Sequence, residues 1–211
     1  MKGAGATSLL APPLLLLLFV ALALRCRKRA VPSSRPIVLS GSRGAGKTAL
    51  LFALAGWSAP PDSCTSMEVN DIELPNSRQR VLDLPGHPRL RGDRKQPLSR
   101  ARAVVVVVDS ASLARGAREA ADSIEEALQE TQSDVSILVA ASKSDSLSAL
   151  SVRHVRKRVE KEMAEQRDNR SFSLDSCGRS ITFLSVSVMQ LSSLLPVAEF
   201  MGVKPPSPGT Q

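Results

Sequence analysis

Apolar residues fall along this 211-residue chain in three distinct patterns. The first is a stretch with no charged residue from 3 to 24, almost wholly aliphatic from Leu14 onward. About 20 such residues span a bilayer as a helix. This predicts a transmembrane helix over residues 8–24, with Pro12 and Pro13 in its first turns, where a helix tolerates proline. The second pattern is the short continuous run. Residues 37–40, 103–108 (an alanine and five valines), 135–141 and 181–186 are of this kind. The first three fit buried strands of a sheet, and 181–186 reads as the last strand. The third is helical spacing. It appears in Ala117, Ala120, Ala121, Ile124, Ala127 and Leu128, and again in Val152, Val155, Val159 and Met163.

Residues 50–55 continue the alternation as a helix that Gly56 ends. Residues 67–74 and 80–84 read as paired strands about the turn Pro75-Asn76-Ser77. Residues 58–66 and 164–180 are polar and irregular. Pro196 interrupts 191–201 and predicts a poorly formed last helix. A tail over 204–211 holds three prolines and predicts disorder. Strand and helix alternate from residue 36 to 203. That order implies an α/β fold: a doubly wound, mostly parallel sheet with helices on both faces, preceded by one transmembrane helix.

Charge refines the picture. Lys and Arg outnumber Asp and Glu by 28 to 20, a net charge of +8. Aromatics are 3 % of residues, with no Tyr, so the chain lacks the stacking platforms of single-strand RNA binders. No direct nucleic-acid binding is expected. The cluster Arg25-Cys26-Arg27-Lys28-Arg29 lies directly against the apolar stretch. Positive residues stay cytoplasmic, which places 1–7 in the lumen and everything after 24 in the cytosol, with 25–35 as a basic tether. A signal peptide cut after Ala21-Leu22-Ala23 is the rival, and the basic cluster opposes it. A second basic stretch, Arg89, Arg91, Arg94, Lys95, Arg100 and Arg102, reads as a solvated face. Cys26, Cys64 and Cys177 have neither a disulfide framework nor zinc spacing, and they fit a reducing compartment.

The chemistry is concentrated in a few motifs. Gly41-Ser42-Arg43-Gly44-Ala45-Gly46-Lys47-Thr48, followed by Ala49, fits G-x-x-x-x-G-K-[ST] between a strand and a helix. Such a loop turns backbone N–H groups inward on a phosphate, at a helix N-terminus. Lys47 adds a mobile charge for the terminal phosphates, and the Thr48 hydroxyl is placed to ligate Mg²⁺. In Asp83-Leu84-Pro85-Gly86-His87, Asp83 can hold Mg²⁺ through water, and the Gly86 N–H can reach a terminal phosphate. Ser142-Lys143-Ser144-Asp145 ends a strand, where doubly wound sheets bind ligands. Asp145 can accept the N–H pair of a guanine edge, and the Lys143 stem can cover the ring. Thr65, with Ser66 as runner-up, is the candidate for a second Mg²⁺ ligand. The plainer readings are a glycine turn, a strand-closing Pro-Gly turn and a polar helix cap.

In this order, G-S-R-G-A-G-K-T, T-S-M, D-L-P-G-H, V-V-V-V-V-D-S and S-K-S-D resemble the Ras-like GTPases. The N-terminal anchor with D-L-P-G-H-P-R-L-R is similar to the beta subunits of the signal recognition particle receptor. The resemblance implies that Gly41, Gly44, Gly46 and Lys47 hold GTP phosphates, Thr48 the Mg²⁺, and that Asp83 and Gly86 sense the γ-phosphate. It places His87 where many small GTPases have a water-positioning glutamine, which implies at most slow hydrolysis. It also implies a partner, the receptor's alpha subunit, docked at the endoplasmic reticulum through surfaces ordered by GTP. Two positions depart from the family. Ser142 stands for the asparagine of N-K-x-D, and in Val186-Ser187-Val188-Met189 only Ser187 agrees with a C-S-A-K-like loop. Both departures predict weaker base binding. The alternatives are a scaffold that binds nucleotide weakly, an Arf-like trafficking GTPase, and an ATPase. Lys2, where myristoylation requires glycine, opposes the second; Asp145 opposes the third.

Overall fold

The computed structural model of the chain describes residues 35–57, 68–75, 77–169 and 171–203. The predicted transmembrane helix, the tether before Arg35, Thr65, Ser66, Cys26, Cys64 and the tail from 204 lie outside the described residues. Among those described, no helix is long and apolar enough to cross a membrane.

Six strands form one sheet: β1 (Ile37–Gly41), β2 (Asn70–Glu73), β3 (Arg80–Asp83), β4 (Ala103–Asp109), β5 (Ser136–Ser142) and β6 (Ile181–Ser185). Their order is β2-β3-β1-β4-β5-β6. β2 pairs antiparallel with β3; every other pair is parallel. Four helices lie between strands, α1 (Lys47–Ala55), α2 (Arg91–Ser99), α3 (Leu113–Glu130) and α4 (Val152–Gln166), and α5 (Leu191–Met201) follows β6.

The all-valine character of β4 has a direct cause. Alternate side chains of a strand point to opposite faces. Val104, Val106 and Val108 enter the core under α3 and α4, with Ile137 and Val139 of β5. Val105 and Val107 enter the other core, under α1 and α5, with Leu39, Leu138 and Ala140. Both faces are covered, so no polar position survives in the middle of the strand. This is the doubly wound, mostly parallel α/β architecture expected.

α1 stops where the sequence places the stop. Gly56 takes the left-handed conformation (φ 71), and Trp57 N–H closes back on Phe52 O at 2.9 Å.

Two local expectations fail, and a third holds in part. β2 begins only at Asn70, shorter than the 67–74 run. The last helix is well formed despite Pro196: Leu194, Val197, Ala198 and Met201 are buried along it, and Gly202 caps it with φ 64. Tertiary burial outweighs one missing helix bond. The basic stretch is solvent-exposed at Arg89, Arg91, Lys95, Arg100 and Arg102 as expected, but not at Arg94, which is buried; within helix α2 its cations meet a ladder of acids on α3. Arg91 pairs with Asp122 at 2.7 Å, Arg94 with Glu126 at 3.0 Å and Lys95 with Glu130 at 3.1 Å.

Candidate functional site

The carboxyl ends of β1, β3 and β5 converge on the loop between β1 and α1. Gly41 opens that loop at φ 138, with a would-be Cβ 2.2 Å from Val107 O, so no other residue fits there. Along the loop Arg43 and Gly44 are exposed, Ser42, Gly46, Thr48 and Ala49 half-buried, and Ala45 buried.

Lys47 begins α1 and is buried. Its Nζ curls back to donate to Gly41 O at 3.0 Å and Ser42 O at 2.9 Å. Burial brings its pKa down to about 8; the Asp83 carboxylate raises it, and Arg94 adds to the lowering. Beside it, Thr48 Oγ1 donates to Asp83 Oδ2 at 2.8 Å. Asp83 is fully buried at the end of β3. Burial raises its pKa, against the Thr48 hydroxyl, the Lys47 charge and Asn70.

Asp83 Oδ1 has no hydrogen-bond partner, an unusual state for a buried carboxylate oxygen. An orphaned carboxylate oxygen next to a hydroxyl suits a hydrated Mg²⁺ ion. Magnesium keeps several waters and is held by one or two protein oxygens plus phosphates. Among the described residues there is no group of three His, Cys, Asp or Glu that could cage a metal alone.

The loop after β3 lies on the β1–α1 loop. A Cβ on Gly86 would sit 2.7 Å from Arg43 N and 2.8 Å from both Ser42 C and Lys47 Nζ. Gly86 thus presses its backbone against the lysine. His87 Nδ1 accepts the Arg89 N–H at 3.2 Å, and its carbonyl accepts Leu90 N–H at 3.1 Å and Arg94 Nη2 at 3.0 Å. Arg94, only 3 % exposed, therefore ties this loop to Glu126 of α3. Sequence reasoning missed both residues. The available signal was the spacing of Asp122, Glu126 and Glu130, one helical turn apart, opposite a basic segment.

At the other end, Ser142 closes β5 and is buried. Its hydroxyl donates to Ala45 O at 2.6 Å, with Val108 O at 3.1 Å. It braces the β1–α1 loop from behind. Lys143 adopts φ 57 and pairs through Nζ with Asp109 Oδ2 at 2.7 Å. Burial opposes the charge on Asp109, but Lys143 and the amides of Ser112 and Ala111 outweigh it, and its pKa falls. Asp145 is exposed and accepts the hydroxyl of buried Ser187 at 2.6 Å. That hydroxyl and a backbone amide hold the Asp145 carboxyl below its ordinary pKa. Asp145, expected to read a base, is thus joined to Ser187 of the loop after β6 across 42 positions of sequence. Val188 and Met189, which follow Ser187, are exposed.

A family model described as the signal recognition particle receptor beta subunit matches residues 32–193. The chain belongs to this family. The human receptor beta subunit is 31 % identical over 160 residues, covering 71 % of this chain and 58 % of the human protein. The mouse protein is 32 % identical over 161 residues, with 59 % of it covered. The chain thus spans under two thirds of the length of these curated relatives. The mammalian receptor structure superposes with a TM-score of 0.68 at 27 % identity, covering 79 % of this chain and all of that one. The complex of SRb-GTP with SRX from Chaetomium thermophilum gives 0.65 at 24 %, over 75 % and 93 % of the chains. The Arl6 GTPase of Trypanosoma brucei gives 0.58 at 16 %, over 81 % and 96 %. At this identity the last two show a shared small-GTPase fold.

Proposed function

We propose that this receptor beta subunit binds GTP·Mg²⁺ and, anchored by residues 8–24 in the endoplasmic reticulum membrane with its domain in the cytosol, docks the receptor's alpha subunit for co-translational protein targeting. The observation that carries the reading is the convergence of the β1–α1 loop, the Thr48–Asp83 pair and the Asp145–Ser187 pair at the same edge of the sheet. The amides from Gly41 through Ala49, including those of Ser42, Arg43, Gly44, Ala45 and Gly46, would cradle the phosphates, with Lys47 as the counter-charge. Thr48 and Asp83 would hold the metal, joined by Thr65. Asp145, oriented by Ser187 and kept ionised, would accept the two N–H groups of a guanine edge; Lys143 would lie along the ring. Mg²⁺ when bound would neutralise charge on the outer phosphates.

Relatives support the ligand and partner: one solved structure of the family is named as SRb-GTP with SRX, another as SRb-GDP-Mg. The brace from Ser142 to Ala45 offers a reason for the missing asparagine. The position supports the phosphate loop, a task one hydroxyl can perform. Hydrolysis by the isolated protein is expected to be slow, because His87 replaces a glutamine and its Nδ1 is occupied by a backbone amide. The test is co-purification of the alpha subunit from detergent-solubilised membranes with and without GTP. The reading requires GTP-dependent recovery; recovery indifferent to GTP and to Lys47→Ala contradicts it and favours a nucleotide-weak scaffold.

A further inference from the structure

The loop after β5 and the first turns of α4 carry side chains that the nucleotide site does not use. Leu147 stands at the tip of a turn closed by Ala149 N–H on Ser146 O at 3.0 Å, and it is 108 % exposed. Leu150 is also exposed, although its own N–H is pinned inward to Ser110 O at 3.0 Å. Both leucines sit on an ordered loop, so their exposure is not the accident of a frayed segment.

α4 buries Val155, Val159 and Met163. On the opposite face, by helical spacing, lie Arg153, His154, Lys157, Arg158 and Lys161. Among the described residues Arg153, Lys157 and Arg158 have no ion-pair partner; Lys161 pairs with Glu165 at 3.7 Å. This contrasts with α2, where Arg91, Arg94 and Lys95 are each matched to an acid of α3. No acid occurs in α4 before Glu160.

We propose that Leu147, Leu150 and the Arg153, Lys157 and Arg158 face of α4 form a docking surface for an anionic phospholipid membrane. Exposed aliphatic tips beside a basic helix face are the two halves of an interfacial contact, one entering the acyl boundary and the other meeting headgroup phosphates. Nucleic acid would satisfy the cations but would gain nothing from bare leucines. The location rests on the anchored reading. Residues 25–35 reach up to about 36–40 Å when extended, against about 22 Å for the length of α4. That contour length exceeds the length of the helix face the contact requires.

The test uses the full chain in nanodiscs of phosphatidylcholine alone or with phosphatidylserine, followed by hydrogen exchange over residues 145–162. Protection on the anionic discs, lost at high salt, is the expected result. Arg153→Glu/Lys157→Glu/Arg158→Glu should abolish it, since each cation contributes about fivefold to surface binding and the three together on the order of a hundredfold. Leu147→Ser/Leu150→Ser, which alters only exposed side chains, should weaken it at unchanged charge. Equal exchange on both discs overturns the proposal. So does protection by an added RNA duplex on neutral discs without protection by phosphatidylserine. GTP-dependent recovery of the alpha subunit is scored separately on the same variants. Its survival alongside absent lipid protection overturns this surface and leaves the docking function standing.

Discussion

Replacing Gly86 with alanine places a methyl carbon 2.7 Å from Arg43 N and 2.8 Å from Ser42 C. Ordinary carbon contacts lie near 3.5–4.0 Å, so the overlap is about 0.7 Å or more. Both atoms are backbone and cannot rotate aside. Only the third neighbour, Lys47 Nζ, is the end of a flexible chain. The loop after β3 must therefore lift from the β1–α1 loop. Overpacking of this kind costs about 1–3 kcal/mol. In a domain of this size that lowers Tm by roughly 2–12 °C. Gly116→Ala is the matched control. Gly116 lies within α3 with nothing within 4 Å of a new Cβ. It should stabilise by about 0.5–1 kcal/mol, through helix propensity alone. Thermal unfolding of the two variants should move in opposite directions. The displaced loop should also lose the charge-assisted bond proposed between Gly86 N–H and a terminal phosphate, worth roughly 1.5–3 kcal/mol. GTP affinity should then fall by about 10–150-fold while GDP affinity holds. A Gly86→Ala protein with unchanged Tm and an unchanged GTP-to-GDP ratio refutes the reasoning.

Three further outcomes are expected. Lys47 titrates at about 8 when folded against an ordinary 10.5, so the nucleotide-free protein carries the full penalty below pH 8 and sheds it as pH rises toward 10.5. Stability should climb by roughly 3 kcal/mol across that window, and Lys47→Met should flatten the climb in chemical unfolding at each pH. Arg94→Leu or Glu126→Leu alone should cost about 3–5 kcal/mol by stranding a buried charge, and the double variant should recover most of it in urea titration. Ser187→Ala removes the 2.6 Å bond to Asp145. The Asp145 pKa should return upward in a carboxyl NMR titration, and GTP binding should weaken about fivefold.

The central strands β1, β4 and β5 were legible because they are buried on both faces and so are nearly uniform in composition. The five valines of β4 are the clearest case. The tight β1–α1 turn was legible because its geometry demands glycine at Gly41, where a Cβ would meet Val107 O at 2.2 Å. What escaped were features that depend on a distant partner. α2 has only Leu98 and the charged Arg94 buried, so it shows no apolar period; its register comes from acids on α3. α5 was underrated because Pro196 signals a break, whereas burial of Leu194, Val197, Ala198 and Met201 holds the helix together. Ser142 looked like an impaired base reader. Its hydroxyl is instead committed to Ala45, a contact between residues 97 positions apart that no local pattern encodes.

Calorimetric titration of the detergent-solubilised full chain with GTP and Mg²⁺, beside ATP and beside Lys47→Ala, tests the central claim most directly. One-to-one binding of GTP, none of ATP, and loss of the GTP signal in the variant is the predicted result. No heat with GTP, or equal heat with and without the lysine, would contradict the account.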